Sequence, residues 1–90
     1  MAGLQGGLAT VDGTEVRLPR REQLLLVHLA HAEGAVVAKA ELARSVWGPG
    51  TDPHLVEVTV GRLRANLGVG GEAILTVPRR GYRLAASFPR

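Results

Sequence analysis

Ninety residues, 46% hydrophobic and 21% charged, fit one globular domain with a single core and leave no room for a second. The absence of cysteine excludes disulfides and thiolate metal sites, and the apolar run 24–30, broken by His28, is too short to cross a bilayer. Charge is uneven: residues 1–53 carry five basic against six acidic side chains (−1), residues 54–90 six arginines against two glutamates (+4), giving the net +3. That asymmetry points to an anionic partner for the second half, with Arg favouring planar, bidentate contacts. Residues 1–20 lack the apolar stretch of a signal peptide, so a cytoplasmic protein is expected.

In chain order, the Gly-rich residues 1–7 read as a flexible N-terminal segment ahead of a domain spanning 8–88. The segments 8–11 and 14–18, joined by Asp12-Gly13, read as a hairpin because both turn residues tolerate positive φ. Pro19 is expected at the first position of a helix in which Leu25, Leu29 and Ala32 recur at helical spacing, ended by Gly34. Val36-Val37 reads as a short strand. A second helix covers about 39–47, with Leu42, Val46 and Trp47 inward and Gly48-Pro49-Gly50 as its stop. Asp52 as cap and Pro53 at the first position open a third helix over 53–67, where Val56, Val60, Leu63 and Leu67 form one apolar face. Gly68 ends it, and residues 69–72 read as a flexible loop. A basic hairpin follows, 74–77 and 82–85 around Pro78-Arg79-Arg80-Gly81, with Leu75, Val77, Tyr82 and Leu84 alternating inward. Two helices joined by a loop and followed by a basic hairpin make an α+β, winged helix-turn-helix plan: three helices, a short N-terminal β-hairpin and a C-terminal β-hairpin wing.

Three segments carry a resemblance: VVAKAELARSVWG (36–48), VEVTVGRLRANLG (56–68) and LTVPRRGYRL (75–84). Together and in this order they resemble the OmpR/PhoB-type winged-helix effector domain of bacterial response regulators. The resemblance covers about 16–85. It implies sequence-specific binding of double-stranded DNA in transcription regulation, with helix 53–67 in the major groove and wing 74–86 in the minor groove. It also implies head-to-tail pairing on DNA of domains that are monomers in isolation, and RNA polymerase as a further partner. The family opens with a four-stranded sheet, whereas this chain has length for about two strands before Pro19. A similar domain is appended to uroporphyrinogen-III-synthase-like proteins, so a regulatory or protein-interaction module attached to an enzyme stays open as the alternative.

The positions matching the family's DNA-facing residues are His54, Leu55, Val58, Thr59, Arg62 and Arg64 on the helix. On that helix Leu55, Thr59, Arg62 and Asn66 share one solvent face, which offers Arg62 and Thr59 to base edges and Arg64 to phosphate. In the wing, Arg79 and Arg80 suit a narrow minor groove, and Thr76 and Tyr82 match phosphate-binding positions. Tyr82 reads equally well as a core ring with a wet hydroxyl, and Arg83 as a solvated strand residue. Gly61 stands where the family usually has a contact residue, and it weakens the helix by about 1 kcal/mol relative to Ala. Leu18 and Ala38 stand where a Ser or Thr cap is usual. Trp47 reads as a core or loop anchor. His28 and His31 lack a third ligand, and no Ser/His/acid set lies within motif distance, so neither a metal, a cofactor nor an enzyme is expected.

Overall fold

A computed structural model describes residues 2–5, 8–11 and 14–85, with side chains from Glu15 to Ala85. Strands β1 (Ala2–Gln5), β2 (Leu8–Val11) and β3 (Thr14–Arg17) form an antiparallel sheet in chain order. The sequence pattern predicts only the β2–β3 hairpin; β1 is an added strand, paired from Ala2 with Val11 to Gln5 with Leu8. Its Ala-Gly-Leu-Gln composition has little β-propensity, so its existence depends on the unpaired edge of β2 and not on its own pattern. Residues 1, 6 and 7 of the expected flexible segment, the Asp12-Gly13 turn and residues 86–88 lie outside the described residues.

Helix α1 (Arg20–His31) buries Leu25, Leu26 and Leu29. Its start differs from expectation: Pro19, with φ −58 and ψ 153, is extended and occupies the cap position, its carbonyl accepting the Gln23 N–H at 3.0 Å. Leu18 is therefore no cap at all. It is a core residue, 5% exposed, that fastens β3 to the helices. The helix ends where Glu33 and Gly34 take positive φ.

Helix α2 (Lys39–Val46) buries Leu42, Ala43 and Val46. Ala38 is extended at its N-cap and offers no side-chain hydrogen bond, as its methyl group requires. Trp47 lies half-buried just past the helix, with the Arg21 guanidinium 5.9 Å from the ring centroid. Arg21 Nη1 also donates to the Val46 carbonyl at 2.6 Å, so one side chain of α1 ties down the end of α2.

Helix α3 (His54–Leu67) buries the predicted stripe of Val56, Val60, Leu63 and Leu67 against α1 and α2. Asp52 Oδ1 accepts the His54 N–H at 2.9 Å, as a capping side chain does, while Pro53, expected at the first helical position, stands at the cap position with dihedrals that are already helical. Gly68 turns the chain with φ 60. The segment expected as a flexible loop is instead a short 3-10 helix (Gly68–Ala73) folded back on α3. Gly71 is buried there, and any Cβ would overlap the Arg64 backbone.

Strands β4 (Ile74–Val77) and β5 (Gly81–Leu84) form the C-terminal hairpin. Val37 joins its edge: Val37 N donates to Tyr82 O at 2.8 Å, and Tyr82 N to Val37 O at 3.0 Å. Tyr82 and Leu84 face the core as predicted and Val77 is half-buried, but at the start of β4 Ile74 takes the inward place expected of Leu75. The register sets Ile74 opposite Leu84, so Ile74 is buried and Leu75 points outward, 39% exposed. Cross-strand partners share a face, and the partner with the larger core contact decides the phase.

Ala38→Ser is expected to supply the missing cap, about 1 kcal/mol, and to raise Tm by about 4–8 °C in a thermal melt followed by circular dichroism. Gly81 has φ 143, and a Cβ there would overlap the Val37 carbonyl. Gly81→Ala should therefore cost about 2 kcal/mol or more in urea unfolding, because both the dihedral and the bridge to Val37 must give way.

Candidate nucleic-acid interface

The burial of Val56, Val60, Leu63 and Leu67 turns the opposite side of α3 to solvent, where His54, Leu55, Val58, Gly61 and Arg62 are exposed. Thr59 is not among them. It is 8% exposed, and its hydroxyl donates to the Leu55 carbonyl at 2.7 Å. Lying three residues from Val56, it sits at the margin of the apolar stripe, and its one proton satisfies the helix backbone and is not offered to a base. Asn66 is exposed as expected, and its amide reaches back to α1 and donates to the buried Glu22 carboxylate at 2.6 Å.

Arg64 departs furthest from the phosphate role expected of it. Its Nε and Nη2 donate to the Ile74 carbonyl at 3.1 and 2.7 Å, and Nη2 also donates to the Thr76 hydroxyl at 2.9 Å. The guanidinium lies 5.6 Å from the centroid of the Tyr82 ring, which is itself only 4% exposed. Arg64, Thr76 and Tyr82 are thus partners of one another, and Tyr82 is a core ring. The planar fork reaches a strand carbonyl and a hydroxyl together, which a Lys ammonium cannot do in the same way. The contact clamps the wing to α3.

The wing tip is a turn in which Arg80 N donates to Val77 O at 3.0 Å, with Pro78 second and Arg79 third at φ 66. That is the type II pattern, whose third position normally falls to Gly. A non-glycine residue in the left-handed region costs about 1–2 kcal/mol, so backbone strain is concentrated where Arg79 is presented. Arg79 and Arg80 are both exposed. Arg83 is half-buried and donates through Nε to the Gly34 carbonyl at 3.3 Å, so it is more than a solvated strand residue.

Lys39 is absent from the sequence-derived candidates, yet its Nζ lies 5.9 Å from the Tyr82 centroid and 3.6 Å from Glu57 Oε1. Glu57 in turn faces His54 Nδ1 at 3.5 Å. Lys39, the chain's only lysine, brings its ammonium group to the junction of α2, α3 and the wing. Its position at the start of a helix that precedes the Arg-bearing one is the signal the sequence offers for it. These pairs add little stability; Arg62, Arg79 and Arg80 are the exposed arginines of α3 and the wing. Among the described residues no set of three His, Cys, Asp or Glu could hold a metal ion, and no helix is long and apolar enough to cross a membrane.

A helix pair α2–α3 joined by a turn and followed by a clamped two-stranded hairpin defines a winged helix-turn-helix domain. The chain belongs to the family described as "Transcriptional regulatory protein, C terminal", whose model matches residues 13–84. It is 44% identical over 75 residues to the transcriptional regulatory protein CutR of Streptomyces coelicolor, an alignment covering 81% of this chain and 34% of CutR. The chain therefore spans about a third of the length of the curated relatives it matches. In fold it is similar to the DNA-binding domain of the response regulator AdeR, crystallised in complex with an intercistronic region (TM-score 0.81, 18% identity, 92% of both chains). It is also similar to the Klebsiella pneumoniae RstA DNA-binding domain in complex with the RstA box (TM-score 0.74, 26% identity, 93% and 96% of the two chains).

Arg64→Ala should destabilise the domain by about 1.5–3 kcal/mol in urea unfolding, since it removes charge-assisted bonds to a part-buried carbonyl. Arg64→Lys should recover only part of that stability.

Proposed function

We propose that this domain binds double-stranded DNA sequence-specifically as the effector domain of a bacterial response regulator, with α3 in the major groove and the wing in the adjacent minor groove. The observation that carries this reading is the Arg64 clamp. It sets the exposed Arg62 face of α3 and the strained Arg79-Arg80 tip on one rigid unit, as reading two neighbouring grooves requires. His54, Leu55, Val58 and Arg62 meet base edges, and Arg79 and Arg80 enter the minor groove, where a narrow groove concentrates negative potential. Arg64, Thr76 and Tyr82 act mainly by holding this geometry, with Lys39 adding charge toward the phosphates. The family membership and the DNA complexes of AdeR and RstA support the same reading.

Head-to-tail pairing on direct repeats about one helical turn apart fits the dimension of the half-site, with RNA polymerase as a downstream partner. A second reading, a protein-interaction module, draws on the exposed Leu55 and Val58 and on the missing side chain at Gly61.

Duplex binding should fall steeply with salt. Arg62→Ala and Arg79→Ala should each lower duplex affinity, the loss of the Arg62 base contact by about 1–3 kcal/mol. Fluorescence anisotropy across a salt series measures both. If neither substitution changes duplex affinity at low salt, the DNA reading fails and the protein-interaction reading takes its place.

A further inference from the structure

Several hydrogen-bonding side chains of α3 are engaged within the domain. The Thr59 hydroxyl is bound by the Leu55 carbonyl, the Arg64 fork by β4, and the Asn66 amide by Glu22. Leu55, Val58 and Arg62 at i, i+3 and i+7 form a single exposed stripe on the helix surface, flanked by His54, Glu57 and Gly61, with Glu57 paired to Lys39 and His54. Leu55 is 43% exposed and Val58 39% exposed, although Val56, Val60, Leu63 and Leu67 already fill the core side of the helix. The two apolar side chains therefore lie outside the buried core and present part of their surface to solvent. Beside them, a Cβ placed on Gly61 would meet nothing within 4 Å, so the helix surface there is open to close approach.

Within the DNA-binding reading, on which this inference rests, a major groove offers one apolar group to such a stripe: the C5-methyl of thymine. We infer that α3 selects its site chiefly by the C5-methyl groups of thymine, with Leu55 and Val58 in van der Waals contact with them and Arg62 making the one bidentate contact, to guanine O6 and N7. The open surface at Gly61 lets the methyl-bearing edge approach the helix backbone, which a longer side chain would hold off. The site class that follows is a short thymine-rich step adjoining a guanine. Arg79 and Arg80 in the neighbouring minor groove supply charge that the apolar stripe lacks.

The test uses the whole 90-residue chain and duplex DNA. A random duplex pool is enriched for binding at low salt, and each thymine of the enriched sequence is then replaced singly by deoxyuridine, which removes the methyl and leaves every hydrogen-bonding group. One or two replacements should each weaken binding about fourfold, the effect of losing one buried methyl. Replacement by 5-bromodeoxyuridine at the same positions should restore it, since bromine fills the methyl's volume. Leu55→Ala or Val58→Ala, at exposed positions where Ala suits the helix, should remove the sensitivity at the matching position. Uniform affinity for thymine and uracil duplexes overturns the inference while leaving DNA binding intact, and would release the patch to a protein partner. Binding without enrichment of any sequence also overturns it. No binding to any duplex overturns the DNA reading together with the inference.

Discussion

A guanidinium group is planar, permanently charged and able to donate along two parallel directions, and Arg64 uses all three properties to join α3 to the hairpin that follows it. Its reach to the Ile74 carbonyl and the Thr76 hydroxyl closes a loop of ten to twelve residues across the 3-10 segment. The Tyr82 ring provides the apolar floor beneath it, with Lys39 on the same ring from α2. Gly71 makes this arrangement possible, because the returning chain passes against the Arg64 backbone with no space for a side chain. The relative placement of α3 and the wing therefore rests on one side chain and one glycine as much as on the apolar core.

A second constraint acts from the other side of the hairpin. Val37 pairs with Tyr82 at the edge of β5, and Gly81 admits the Val37 carbonyl close to the strand. The segment between α1 and α2 thus becomes a third line of backbone for the wing sheet, which satisfies donors and acceptors that would otherwise lie bare at an edge. With α1 bonded to α3 through Asn66 and Glu22, and to the end of α2 through Arg21, the three helices and the wing are tied to one another by side chains as well as by the core. Bracing of this kind is what a protein needs if two surfaces are to meet two grooves in register.

The order of the helices and the position of the wing are legible in the sequence because each rests on local physics. Val56, Val60, Leu63 and Leu67 recur with the helical period, Asp52-Pro53 starts a helix by cap chemistry, and Pro78 together with Gly81 marks a turn. Where the structure departs from the sequence pattern, the reason is the same in each case: the deciding partner lies outside the local stretch or off the helical angle. The angle puts Thr59 and Arg64 on the helix surface, but their partners, a backbone carbonyl one turn back and a strand ten residues on, are not features of angle. Alternation leaves two phases open to Leu75, and the pairing of Ile74 with Leu84 selects the outward one. Strand β1 carries no signal because Ala, Gly and Gln are indifferent to strand structure until an edge is offered.

The Arg-bearing helix and the basic hairpin, with their net positive charge, are determined by the sequence, since charge, period and turn chemistry are properties of short stretches of chain. Which arginines face outward was decided only by the tertiary structure. Arg62, Arg79 and Arg80 remain at the surface, while Arg64 is drawn onto the wing because a carbonyl, a hydroxyl and an aromatic ring converge within reach of its fork once β4 lies beside α3. The same packing left Leu55 and Val58 exposed, since the core had room for only one stripe of the helix.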